Sequence, residues 1–123
     1  MFENTDVIIE RNREAMTNKV FSQIKDAARK GETSTIYKTR NGLDYEIFGS
    51  TIRTSEALVG MFLNDSGYTI EEKPLEDGFA LILEIDWNEP KPSKFDNSNG
   101  YDDLIAYPTA NDIYTFSINN RKK

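Results

Sequence analysis

The chain reads as an α+β domain in which two helices pack on a mainly antiparallel sheet of about five strands. Three observations predict this. Apolar side chains recur at helical spacing from Ile9 through Met16, Val20, Ile24, Ala27 and Ala28, until Gly31 stops the pattern. A second helical stretch, Ala57, Leu58, Met61, Phe62 and Leu63, follows Thr54 as N-cap and ends at Gly67, where a left-handed residue would close a helix. From Phe79 the period falls to two, with Phe79, Leu81, Leu83, Ile85 and Trp87 sharing one face. Residues 54–87 thus form the nucleus on which the rest is expected to pack.

Taken in order, Asn4, Thr5 and Asp6 offer an N-cap to the first helix, which should reach Lys30 and span about 39 Å at 1.5 Å per residue. Arg29 and Lys30 then suit the negative end of its dipole. Its opening turns carry Phe2, Val7, Ile8 and Ile9, more apolar surface than a small core absorbs, which predicts an oligomer contact there and a homo-oligomer, most simply a dimer. The β-branched run over residues 33–37 predicts a strand, and Asn41-Gly42 is a hairpin signal that should return a second strand over residues 43–48. Gly49 and Ser50 then punctuate the chain before the central helix. Within that helix Gly60 reads as a close-packing position, and a Schellman ending at Gly67 would place Tyr68 against Leu63. Tyr68 to Lys73 reads as a strand and residues 74–78 as the turn into the alternating run. Residues 88–112, with Pro90, Pro92 and a polar run from Asp96 to Gly100, predict a long surface loop. The final run from Ile113 to Ile118 alternates as a last strand.

The length of 123 residues fits a single domain, 1–123, able to bury roughly two-thirds of its unfolded surface. The absence of cysteine and histidine excludes disulfides, thiolate chemistry, imidazole acid–base work and the commonest zinc ligands. No signal-peptide pattern opens the chain and no run approaches the roughly 20 apolar residues of a membrane span, so a cytoplasmic protein with no membrane partner is expected. The formal charge of −6 is unevenly spread: residues 44–89 hold eleven Asp and Glu against two Lys and Arg. Such an acidic module is a poor match for the phosphate backbone and a good one for a basic protein surface, so no direct nucleic-acid binding is expected.

Candidate chemistry is sparse. The oxygen-rich run beginning at Asp96 places Tyr101 where a calcium loop needs glycine and Tyr107 where it needs a bidentate glutamate, so it reads as an acidic turn. Glu84 and Asp86 share a strand face, but no third acid or ligand accompanies them, and they read as its solvated end. No metal, no cofactor and no catalytic residue is expected: the chain reads as a non-enzymatic interaction protein. Partner binding is expected through Glu71, Glu72, Glu76 and Asp77 for charge, with Trp87 and Tyr101 supplying contact area.

The run Gln23-Ile24-Lys25-Asp26-Ala27-Ala28-Arg29-Lys30-Gly31-Glu32-Thr33-Ser34, followed by a helix, Gly67-Tyr68-Thr69-Ile70 and a strand ending in Trp87, resembles small uncharacterised accessory proteins encoded by tailed bacteriophages. The likeness covers residues 15–87 and is one of element pattern. It implies a phage accessory protein, either a virion component or a factor acting on host machinery. The acidic central module then favours an inhibitor of a host defence or nucleic-acid enzyme, working in the host cytoplasm. The alternatives are a virion structural or assembly protein and a small-ligand-binding sponge.

Overall fold

The computed structural model describes residues 5–40, 43–94 and 107–121, and side chains within 7–40, 51–94 and 107–121. The element order is α1 (Thr5–Arg29), β1 (Ser34–Arg40), α2 (Leu43–Asp65), β2 (Thr69–Glu72), β3 (Phe79–Asp86) and α3 (Ala110–Arg121). The described strands form one antiparallel sheet in the order β1-β3-β2. Because β1 and β2 each run antiparallel to β3, they are parallel to one another, and α2 is the crossover of a split β-α-β unit. The chain is α+β as expected, with three helices and three strands among the described residues where two helices and about five strands were predicted.

α1 forms for the predicted reason. Thr17, Val20, Phe21, Ile24, Ala27 and Ala28 are buried at spacings of three and four, and the stripe packs on α2, α3 and β1. It ends at Arg29 in a Schellman turn: Glu32 N–H donates to Ala27 O over 3.0 Å and Gly31 N–H to Ala28 O over 2.9 Å, with Gly31 at φ 79°. The dipole is met from outside the helix as well. Arg121 donates through Nε and Nη2 to Gly31 O (3.1 and 2.8 Å), and Asn120 Nδ2 donates to Ala28 O.

Two predicted strands are helix. Residues 43–48 open α2, so Gly49 and Ser50 lie inside the helix and Thr54 is not its N-cap. Asn41 and Gly42 lie outside the described residues. The apolar run over 43–48 satisfies either period, and in the fold it continues into α2 rather than adding a strand to β1, whose described partner is β3. The buried face of α2 is also rotated from the expected one. Ser55, Val59 and Leu63 are buried at i, i+4 spacing, whereas Leu58 is 37% and Met61 62% exposed. Ser55 Oγ lies 3.0 Å from Ile9 O and 2.9 Å from Thr51 O, its one proton serving the joint between α1 and α2.

Residues 113–118 are likewise helical, within α3. Thr109 and Asp112 form a capping box: Asp112 N–H donates to Thr109 Oγ1 (3.3 Å), Thr109 N–H to Asp112 Oδ2 (3.4 Å), and the threonine hydroxyl to the same oxygen (2.9 Å). The buried set Ala110, Ile113 and Ser117 then has helical spacing, which overrides the alternation of Tyr114, Phe116 and Ile118. The predicted loop over residues 88–112 therefore ends sooner than expected, and residues 95–106 lie outside the described residues.

A chain of aromatic rings runs through the otherwise mainly aliphatic core. Phe21 meets Phe62, Tyr68 and Tyr107 at centroid distances of 6.1, 6.0 and 5.1 Å, and Tyr68 meets Trp87 at 6.2 Å. Tyr68 and Trp87 are fully buried, and each polar tip is satisfied across the fold: Tyr68 Oη donates to Pro108 O (2.8 Å) and Trp87 Nε1 to Ser117 Oγ (2.9 Å). The turn after α2 is the second anchor. Tyr68 N–H donates to Leu63 O over 3.1 Å, completing the expected Schellman ending, and Gly67 has φ 99°. The outward carbonyls of the turn then accept from distant backbone, Ser66 O from Ala110 N–H (3.0 Å) and Gly67 O from Lys91 N–H (3.0 Å).

β3 is central and bulged. Thr39 pairs with Leu81 but Arg40 with Phe79, so one extra residue of β3 enters the ladder and Phe79 changes face. Its ring lies beneath Lys38 Nζ (5.0 Å) and Arg40 Cζ (5.3 Å). The expected five-residue face is thus shortened to Leu81, Leu83, Ile85 and Trp87.

The glycines of α2 and its closing turn give opposite predictions. A Cβ at Gly67 would stand 2.3 Å from Lys91 O in addition to its positive φ, whereas a Cβ at Gly60 meets nothing within 4 Å. Gly67→Ala should cost at least ~2 kcal/mol, and Gly60→Ala should stabilise by ~0.5–1 kcal/mol through helix propensity. Thermal melts of the two variants check both signs.

Candidate functional site

Open space at Gly60 marks a groove. The strand pairs set its floor: Tyr37 faces Leu83 and Leu83 faces Glu72 across one row of the sheet, with Thr39 and Leu81 in the next. α2 passes above, and between Arg53, Ala57 and Gly60 on the helix and Ile70, Leu81 and Leu83 below remains a volume of about 330 Å³. Glu56 and Glu72 line it too, one from the helix and one from edge strand β2. Gly60 does not serve close packing, as the sequence suggested; its missing side chain is part of the cavity.

Two polar atoms here are buried without a hydrogen-bond partner, Glu56 Oε1 and Thr39 Oγ1. Burial pushes the Glu56 carboxyl above its ordinary value; the Arg53 guanidinium opposes the rise and the Glu72 carboxylate adds to it. Burial likewise raises the Tyr37 phenol, the Thr39 hydroxyl countering and the charge of Glu56 reinforcing. Thr39 is near enough to that phenol to act electrostatically, yet its geometry does not make a hydrogen bond to it. A buried acceptor left unpaired costs ~1–3 kcal/mol, so the Glu56 side chain is held there at some expense of stability.

Beside the groove the β2–β3 hairpin exposes Glu71, Glu72, Glu76 and Asp77. Phe79 N–H donates to Glu76 O (3.1 Å) to close its turn, and Leu75 stands 61% exposed between the carboxylates. Lys38 pairs with Glu76 at 3.2 Å, and Lys73 lies 3.4 Å from Glu71 and 3.6 Å from Glu84. Glu71, through a hydrogen bond and its charge, raises the Lys73 ammonium, with Glu84 adding. These pairs are exposed and individually weak. Asp86 is occupied locally, accepting from Asn88 N–H at 2.7 Å.

The sequence-derived sites divide accordingly. Trp87 is fully buried, its indole committed to Ser117, so it is a core residue and not a surface anchor: burial of the flat ring beside Tyr68 outweighs its place at a strand end. Tyr101 and Phe2 lie outside the described residues. Val7 is 49% exposed as an oligomer contact requires, while Ile8 and Ile9 are half-buried, the latter at the α1–α2 joint. Glu56, Gly60 and Leu75 were not singled out for binding. Their signal was a Glu and a Gly at i, i+4 flanking the buried stripe of α2, and an apolar residue within an acidic turn.

Two other depressions are formed by described residues, one lined by Lys25, Arg29 and Tyr107 among others, the other by Pro90 to Ser93 and the start of α3. Among the described residues no three His, Cys, Asp or Glu side chains are placed to hold a metal ion, and no helix is long and apolar enough to cross a membrane. No protein-family model, curated protein or solved structure matches this chain.

Glu56 also sets a pH dependence. A carboxyl whose folded value is raised favours the protonated form, so stability present below its ordinary value of 4.5 is lost as pH rises through the folded value. Glu56→Gln should therefore melt higher than the parent at about pH 7, with the difference vanishing by about pH 4. Paired melts across that window, with Arg53, Glu72 and Tyr37 intact, check the sign.

Proposed function

We propose that the chain is a non-catalytic protein-binding module that meets a basic protein surface through the β2–β3 hairpin. The observation that carries this reading is the hairpin itself: Glu71, Glu72, Glu76 and Asp77 are all exposed on one edge of the sheet around the exposed Leu75. Carboxylates in that arrangement accelerate encounter with a cationic patch, and a central apolar side chain slows release. Leu75 takes the role first expected of Trp87. The likeness to tailed-bacteriophage accessory proteins supplies the partner class: a host enzyme, of defence or of nucleic-acid metabolism, whose basic groove the hairpin would block in the host cytoplasm.

The test is a variant combining Glu71→Lys, Glu76→Lys and Asp77→Lys, leaving Glu72 and the groove untouched. It should lose capture of a basic bacterial protein that the parent retains, with parent association slowing as salt rises. Its melting temperature should stay close to the parent's, because the ion pairs removed are exposed. Equal capture by parent and variant, with the same salt dependence, would overturn the reading.

A second reading, a virion structural or assembly role, is favoured by one observation, the 49% exposure of Val7 on the opening turns of α1. Val7→Asp should then shift native mass from an oligomer to the monomer with little change in melting temperature. Unchanged mass would sink self-association through this end. Deleting residues 1–9 would be a poorer test, since Ile9 O is bonded to Ser55.

A further inference from the structure

We propose that β1 is the seam of a symmetric dimer, its open edge pairing antiparallel with the β1 edge of a second copy so that the two sheets run on as one. The inference goes beyond the hairpin reading and uses the opposite edge of the sheet. β1 is seven residues long, and Ser34, Ile36, Lys38 and Arg40 are all exposed along it. The register shows where its backbone groups point. Trp87 N–H donates to Thr33 O (2.9 Å), and the same ladder sets Thr35 against Ile85 and Tyr37 against Leu83, so odd-numbered positions bond to β3. The N–H and C=O groups of Ser34, Ile36 and Lys38 therefore point away from the sheet, and among the described residues nothing caps them. Ile36, 48% exposed, stands in the middle of that open edge.

Charge selects a second copy as the occupant and fixes the register. On the solvent face of the sheet Ile36 is backed by Glu84 and Glu71, and Ser34 by Asp86, whereas Lys38 is backed by Ile82 and Arg40 by Phe79. Each row thus reaches the edge either as a neutral residue in front of carboxylates or as a cation. Two-fold pairing about Tyr37 sets Ile36 opposite Lys38 of the second copy and Ser34 opposite its Arg40. Every cation then extends an acidic row, and no like charges stand opposite one another. The outward backbone groups also meet in this pairing, because the facing positions are even-numbered on both strands. Pairing about Ile36 would align acidic rows with each other, and pairing about Lys38 would set Lys38 against Lys38. Lys38 also shares Glu76 at 3.2 Å, which damps repulsion between the two seams. An extended peptide of one charge matches half of this alternation; a second β1 matches all of it.

The test is sedimentation and amide hydrogen exchange of the full chain over a concentration series. A seam one strand wide is at the small end of specific interfaces, so a Kd on the order of 10–100 μM is expected. As concentration rises the Ile36 and Lys38 amides should become protected, while Thr35, Tyr37 and Thr39, already bonded to β3, should change little. Ile36→Pro removes an outward donor without touching the β3 ladder and should abolish the dimer. Charge supplies an independent arm should that variant fail to fold. Lys38→Glu with Arg40→Glu, and separately Glu84→Lys with Asp86→Lys, should each weaken self-association about tenfold or more. An equimolar mixture of the two should restore it, because each copy then offers the charges that the other's rows require. A chain still monomeric at about 1 mM, a dimer that survives Ile36→Pro, or a mixture no more associated than its components would each overturn the proposal. Loss of the dimer in Val7→Asp would also overturn it, by placing the contact on α1.

Discussion

The fold depends most on the left-handed turn at Gly67 and the buried aromatic pair beside it. Gly67 ends α2, delivers Tyr68 into the core and lets the backbone at Lys91 approach so closely that no side chain fits between. From there Tyr68 and Trp87 extend the consequence across the molecule. One holds Pro108 and the other Ser117, so the last helix is fastened to the centre by two buried hydrogen bonds from aromatic side chains. Buried phenol and indole donors left without acceptors would be costly, which makes these bonds conditions for burying the rings at all. α3 returns the favour at the other end, where Arg121 and Asn120 meet the carbonyls that close α1.

The groove is what this core leaves over. α2 is fixed to α1 through Ser55 and to the turn through Leu63, and its intervening flank carries Gly60 and Glu56 where large apolar residues would otherwise fill the space above β3. The bulge in β3 acts in the same region, because moving Phe79 to the opposite face takes the largest ring of the strand away from the cavity. Two local departures from a filled core, a glycine and a bulge, thus sit beside an unsatisfied carboxylate.

The acidic hairpin and the groove are neighbours by construction. Strand β2 offers Glu71 to one face of the sheet and Glu72 to the other, so a single short edge strand contributes both to the exposed charge and to the cavity wall.

Much of the local structure was legible in the residues themselves. The stripe Val20, Ile24, Ala27 and Ala28, the stops at Gly31 and Gly67, the hairpin and the inward run Leu83, Ile85 and Trp87 follow from periodicity and from the freedom of glycine at positive φ, which are properties of neighbouring residues alone. Tertiary structure decided the rest because the remaining signals were degenerate. Residues 43–48 and 113–118 each fit both a strand and a helix period; the first is the opening of the helix that carries Ser55, Val59 and Leu63 into the core, and the second was fixed by a capping box whose helix buries Ile113 and Ser117 against the core. Whether Trp87 faces solvent, which way α2 is turned, and whether Gly60 is packed or empty are questions of what lies across the fold, and no pattern along the chain encodes a distance between α2 and β3.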